Sequence, residues 1–228
     1  MAALTSEIDR RPSRAVRDVS PVITASEVLA VYAAILLYIW QWQDAHPFLW
    51  IPMLGAVLFS QWFRGEALEE LGVTAREFWP CARASVPLLA LVTGGAVFYA
   101  LRTDFSAGRL VSRHVWLSLG GYFIWCSFQQ YLTQSYFHRR LMKSVQSPHL
   151  RSLAIGLLFA GAHIPNPVLM PATFVGGIIF AEIFFHHPNI WPLALVQAVA
   201  GFFIGMLAPP WMIHGMRVGP GYFFFHLR

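Results

Sequence analysis

The sequence predicts an all-α fold: a polytopic transmembrane helix bundle of about seven spans, within a range of six to eight. Three observations carry this. Only 12% of the 228 residues are charged, while 57% are hydrophobic and 15% aromatic; an average soluble domain carries about 25% charged residues. Mean hydropathy is +0.53. Uncharged runs cover residues 45–63, 84–101, 114–138, 152–181 and 183–216, and a helix crosses the hydrocarbon core with about 20 mostly apolar residues. This composition excludes a disordered chain, which is polar, and argues against a soluble globular domain. The isoelectric point near 9.6 does not point to nucleic acid, because such binders cluster Lys and Arg on a wettable face. Here Lys occurs once, at Lys143, and the arginines are scattered. The expected surroundings are the lipid bilayer, and no nucleic-acid partner is expected.

Taken in order, residues 1–21 form a polar N-terminal segment with four Arg and no apolar core, unlike a cleavable signal peptide. A transmembrane domain over 22–210 follows. Its spans are expected at about 22–40, 46–63, 85–101, 114–137, 152–164 (extending as far as 170), 172–186 and 190–208. Pro and Gly punctuate them: Ile164-Pro165-Asn166-Pro167 and Pro171 break one long run, His186-His187-Pro188-Asn189 another, and Pro209-Pro210 ends the last. Residues 64–80 mix acids and bases and read as an amphipathic connector. The aromatic, Gly-rich tail 211–228 is expected at the membrane interface. With the N-terminus inside, eleven of the sixteen Lys and Arg fall on the cytoplasmic side, which favours that orientation; the loop 102–113, with Arg102, Arg109 and Arg113, opposes it. A bacterial inner membrane is the expected location. Cys81 and Cys126 are the only cysteines and read as packing residues, so no metal site and no cofactor is expected.

Polar residues inside apolar spans carry the functional information. The fourth span holds Gln129, Gln130, Thr133 and Gln134, the fifth His163, the sixth Glu182 and the seventh Gln197. At 1.5 Å per residue, Gln130 lies roughly 10 Å from the cytoplasmic end of its span, His163 about 16 Å, Gln197 about 10 Å and Glu182 about 6 Å. Similar depth on four helices suggests one polar cavity. Simpler readings compete. A Gln in a span often just bonds a neighbouring helix, His163 alone fits a satisfied core histidine, and Glu182 fits an interfacial carboxylate paired with His186.

The residues Phe128-Gln129-Gln130-Tyr131-Leu132-Thr133-Gln134 resemble the first motif of the CAAX-protease and bacteriocin-processing (CPBP) family of intramembrane glutamic endopeptidases, which reads Glu-Glu-x-x-x-Arg. Phe159-Ala160-Gly161-Ala162-His163 matches the family's Phe-x-x-x-His motif. The run Ile190 to Gln197 falls where the family has an apolar stretch ending in His, with Asn four residues on, at Gly201 here. The connector step Leu71-Gly72-Val73 resembles the family's Leu-Gly-aliphatic step. The resemblance covers about residues 60–208.

The resemblance implies a Glu general base oriented by a second Glu and Arg, with His and Asn stabilising an oxyanion. This chain departs at five positions. Gln129 and Gln130 replace the acids, Gln134 the Arg, Gln197 the His and Gly201 the Asn; His163 remains, with Phe159 beside it. A carboxamide cannot accept a proton near neutrality, and losing a general base costs about 10²–10⁴ in rate. Loss of charge on both sides of the motif leaves a neutral, amide-lined cavity rather than a stranded arginine. The resulting expectation is a CPBP-like membrane protein whose glutamic endopeptidase activity is lost or altered. It retains binding of a transmembrane or lipidated peptide or an isoprenoid-like lipid. Two alternatives stay open. One is an active intramembrane enzyme using His163 with Glu182 as a relocated base, since Glu182 is the only carboxylate after Asp104. The other is an unrelated transporter-like module.

Overall fold

A computed structural model describes residues 19–103 and 113–224, with side chains in the second stretch from residue 116 onward. The polar segment up to residue 18, Arg109 and residues 225–228 lie outside the described residues. The described residues are helical and contain no strand. Among the described residues seven main helices occur: α1 (Pro21–Leu37), α2 (Trp50–Arg64), α3 (Phe78–Arg102), α4 (Arg113–Gln130), α6 (Pro148–Gly161), α7 (Leu169–His186) and α8 (Ile190–Leu207). Between α4 and α6 lies the three-residue α5 (Arg139–Leu141), and after α8 come the short α9 (Pro210–Ile213) and α10 (Pro220–Phe223). Two segments wind as π-helix: Tyr38–Trp42, continuing α1, and Tyr131–His138, joining α4 to α5. Among the described residues four helices are long and apolar enough to cross a membrane: Pro21–Trp42, α3, α7 and α8.

Local chemistry sets the boundaries. Ser20 caps α1 and Ser147 caps α6, each accepting from a backbone N–H three residues on, with Pro at the first helical position. Asn189 caps α8 through the Trp191 N–H at 3.1 Å. Gly65, at φ 72°, ends α2 in the left-handed conformation that suits glycine. The expected break at Pro171 is absent. Pro171 sits in the first turn of α7, where its missing N–H costs no helical bond.

Burial is inverted relative to a soluble protein. Leu91 and Ile124 are 72% and 71% exposed, whereas Gln61, Arg64, Gln134, His138 and Arg140 are buried. Apolar faces turned outward suit lipid, and inward polar groups must find partners. The helices α6 and α7 form a close antiparallel pair. A Cβ on Gly156 would lie 2.8 Å from the Phe174 carbonyl oxygen, and one on Gly177 3.0 Å from the Gly156 Cα. Small residues allow this backbone approach. On its other side, α8 packs along both α3 and α4.

The connector after α2 forms turns rather than an amphipathic helix. It docks against the α7–α8 turn: the Ile190 N–H donates to the Gly72 carbonyl at 2.9 Å, and Asn189 Nδ2 donates to the Thr74 and Arg76 carbonyls, both at 2.8 Å. Next to it lies a buried ion cluster. Glu27 of α1 pairs with Arg64 of α2 and with Arg140 of α5, the latter at 3.3 Å. It also accepts from Ser60 and from the Tyr136 hydroxyl, the latter at 2.9 Å. Arg140 pairs in addition with Glu66. Two acids and two bases thus balance at the end of the bundle that also holds Lys143, Arg139 and Arg151. That end is the basic face.

Candidate functional site

The site forms where α4 gives way to the π-helical segment. Thr133 Oγ1 donates to the Gln129 carbonyl at 2.9 Å and approaches the Gln130 carbonyl at 3.4 Å. A local side-chain donor thereby serves carbonyls that the changed register leaves short of partners. Gln129 and Gln130 face α8, where Leu193, Gln197 and Gly201 recur every four residues on one face.

Three of the predicted residues meet directly. Gln130 Nε2 donates to Gln197 Oε1 at 2.7 Å, and Gln197 Nε2 donates to Gln129 Oε1 at 2.5 Å. The result is a directional chain of three carboxamides across the α4–α8 interface. Each amide supplies donors and acceptors at once, so no charge is needed to join them.

This chain opens on a cavity of about 1400 Å³, larger than the 300–1,000 Å³ of common small-ligand sites. Gln129, Thr133, Phe159, His163, Gln197 and Gly201 line it. Its walls are chiefly apolar and aromatic. Phe128 packs between Trp50 and Trp125, at ring separations of 6.0 and 5.5 Å. The charged lining residues are Asp44 and Arg217, at the end away from the basic face.

His163 follows the last turn of α6, in the loop to α7. Its Nδ1 lies 2.7 Å from the Phe159 carbonyl, and its ring stands edge-on to Phe159 at 5.0 Å. A carbonyl only accepts, so Nδ1 carries the proton, and in the neutral ring Nε2 is left as an acceptor. His163 shares the cavity with Gln129 and Gln197, but no hydrogen bond joins it to them among the described residues.

Two predicted residues fall elsewhere. Gln134 is buried and does not line the cavity. It lies four residues beyond Gln130, one turn nearer the basic face. Glu182 pairs with His149 at 2.9 Å, in the first turn of α6, so it lies at the basic face. It sits one turn before the end of α7 at His186, whereas His163 follows the opposite end of α6 from His149. The partner is His149 rather than the expected His186. Among the described residues no group of His, Cys, Asp and Glu is arranged to hold a metal ion.

Sequence reasoning missed two parts of the site. The first is Tyr122, which lines the cavity. A Cβ on Gly201 would lie only 2.2 Å from its hydroxyl oxygen, so the phenol occupies the volume of a side chain at position 201. The available signal was register: Tyr122, Cys126, Gln129 and Thr133 recur at helical spacing. The second is the tail. Residues 210–224 fold back over the cavity. Asn166 Nδ2 donates to the Ile213 and Arg217 carbonyls at 2.9 and 3.1 Å, and Gly219 N–H donates to the Ile164 carbonyl at 2.8 Å. Met216, Arg217, Val218, Pro220 and Gly221 then form part of the lining. The loop that carries His163 is therefore pinned from outside.

Fold and site together define a class: a helical membrane protein whose bundle surrounds a polar site inside an apolar cavity. Residues 111–203 match the family model described as type II CAAX prenyl endopeptidase Rce1-like. This match, over the stretch that carries Gln129 through Gly201, supports membership of the CPBP family. No curated protein and no solved structure matches the chain. The family match argues against the transporter-like alternative.

Proposed function

We propose that the protein holds a membrane-embedded ligand in this cavity without cleaving it by glutamic-protease chemistry. The ligand is a transmembrane or lipidated peptide or an isoprenoid-like lipid. The observation that carries the reading is the Gln130–Gln197–Gln129 amide chain on the wall of a large, mainly apolar cavity. Apolar walls take up a hydrocarbon chain, and a few placed polar groups orient its head. The amides hydrogen-bond but accept no proton. Glu182 is engaged with His149, so the geometry lends no support to the pairing of Glu182 with His163. In this reading the seven main helices span a bacterial inner membrane, with the basic face and the N-terminus cytoplasmic.

The test uses the full chain in lipid nanodiscs. Photoreactive isoprenoid and transmembrane-peptide probes are expected to label cavity-wall residues such as Trp125 and Phe128. A Trp125→Ala/Phe128→Ala variant is expected to lose the label, and the peptide is expected to remain intact. Cleavage by the unmodified protein that disappears in His163→Ala would overturn the reading. Cleavage gained only in Gln129→Glu/Gln130→Glu would support a disabled protease site.

A further inference from the structure

Beneath the amide cluster, the Tyr131–His138 segment turns a line of polar side chains inward. Gln130, Gln134 and His138 follow one another at four-residue intervals and are 0%, 0% and 1% exposed. Among the described residues, five of their side-chain atoms have no hydrogen-bond partner: Gln130 Oε1, Gln134 Oε1 and Nε2, and His138 Nδ1 and Nε2. Buried polar atoms are almost always satisfied. Five orphans on consecutive turns of one segment therefore require a shared explanation. The line also has two defined ends. At the top, Gln130 Nε2 bonds Gln197, which bonds Gln129 on the cavity wall. At the bottom, His138 interacts electrostatically with Arg151 and Glu182. Arg151 Nε is a further buried orphan, and the Glu182–His149 pair reaches the surface of the basic face.

We infer that the inward side of Tyr131–His138 binds a file of water molecules that connects the basic face to the amide cluster. Water suits these atoms better than any single ligand. The orphans include both acceptors and donors, and a buried water typically makes about three hydrogen bonds of both kinds. From residue 130 to 138 the helix rises at most about 12 Å, a distance that three or four waters at about 2.8 Å spacing would bridge. The π-helical winding fits this role. It widens the helix where the file lies, and such segments are frequent at functional sites. The file keeps the site hydrated from one face of the membrane while the tail covers the cavity at the other. This inference goes beyond the proposed ligand binding and does not depend on it.

Water-edited solid-state NMR on the full chain in bilayers tests it, with histidine and glutamine side chains labelled with ¹⁵N. His138 and Gln134 are assigned from the signals lost in His138→Phe and Gln134→Leu. The expected result is magnetisation transfer from water to the His138 ring and Gln134 amide within about twofold of the rate at exposed His149. Transfer as slow as to the buried methyls of Ile155 and Leu193 would overturn the inference. A second arm follows Gln130. In Gln134→Leu its water transfer is expected to fall at least twofold while that of His149 is unchanged, and an unchanged Gln130 rate would remove the continuous file. Where a variant fails to fold, His138 and Gln134 are assigned by sequential backbone-to-side-chain correlations in the uniformly ¹³C,¹⁵N-labelled unmodified chain, whose measurement then decides the first point.

Discussion

Gly201 and Tyr122 share one volume, since the phenol stands where a side chain on α8 would be. Gly201→Asn forces the two apart, and overpacking of this kind costs about 1–3 kcal/mol. The expected outcome is a lowered midpoint of thermal unfolding in detergent. Tyr122→Ala leaves a gap and is also destabilising. Combined, the two changes are expected to cost less than their sum, because the amide then fills the space the ring vacated; strict additivity in the double-mutant cycle would show that the sites do not share space. At this scale the sequence was partly legible. Gln129, Gln130 and Gln197 stood out because amides are conspicuous in apolar runs, and they hydrogen-bond to one another. Tyr122 did not stand out, because a tyrosine in a span reads as an ordinary amphipathic side chain. Glu182 also stood out, but the pairing it makes did not. Its rarity marked it, whereas its partner His149 lies on a different helix that no spacing rule connects to it.

At the scale of elements, two junctions decide the site. The α6–α7 pair is set by Gly156 and Gly177, and the His163 loop is set by Asn166. Gly156→Ala places a methyl group 2.7 Å from Ile178 and 2.8 Å from the Phe174 carbonyl, so the helices must separate. A loss of about 1–3 kcal/mol in stability is expected, read by thermal unfolding; no change would mean that the pair tolerates a wider spacing. Asn166→Ala removes two bonds to the tail and the cap of α7, whose Val168 and Leu169 N–H groups donate to Asn166 Oδ1 at 3.1 and 3.0 Å. Limited proteolysis is expected to cut the variant near residues 208–218 several times faster than the unmodified chain; equal rates would mean that the Gly219–Ile164 bond alone holds the tail. Helix boundaries were legible wherever Ser, Asn, Pro or Gly marked them. The π-helical segment was not, because its residues carry no periodicity that separates it from α-helix. Pro171 misled for a related reason: a proline breaks a helix only after its first turn.

For the whole molecule, the basic face joins distant parts of the chain. Arg140 contacts both Glu27 and Glu66, so Arg140→Ala leaves two partly buried carboxylates short of a partner. Removing one member of such a buried cluster costs about 3–5 kcal/mol. The expected result is a large loss of thermal stability, and a shift no greater than that of a surface Arg variant would reduce the cluster to a peripheral contact. Composition made the membrane class plain, but this cluster was hidden. Arg64 and Arg140 were read as loop charges that set orientation, although they turn inward. The cluster also bears on how the chain enters the membrane. α1 emerges first, carrying Glu27 in its second turn, and its nearest cation, Arg64, follows 37 residues later, whereas Arg140 follows only after 113. A carboxylate is costly in lipid until it is paired. α1 and α2 therefore settle as a hairpin, and the first helix reaches its final seat only once α5, which carries Arg140, has been made.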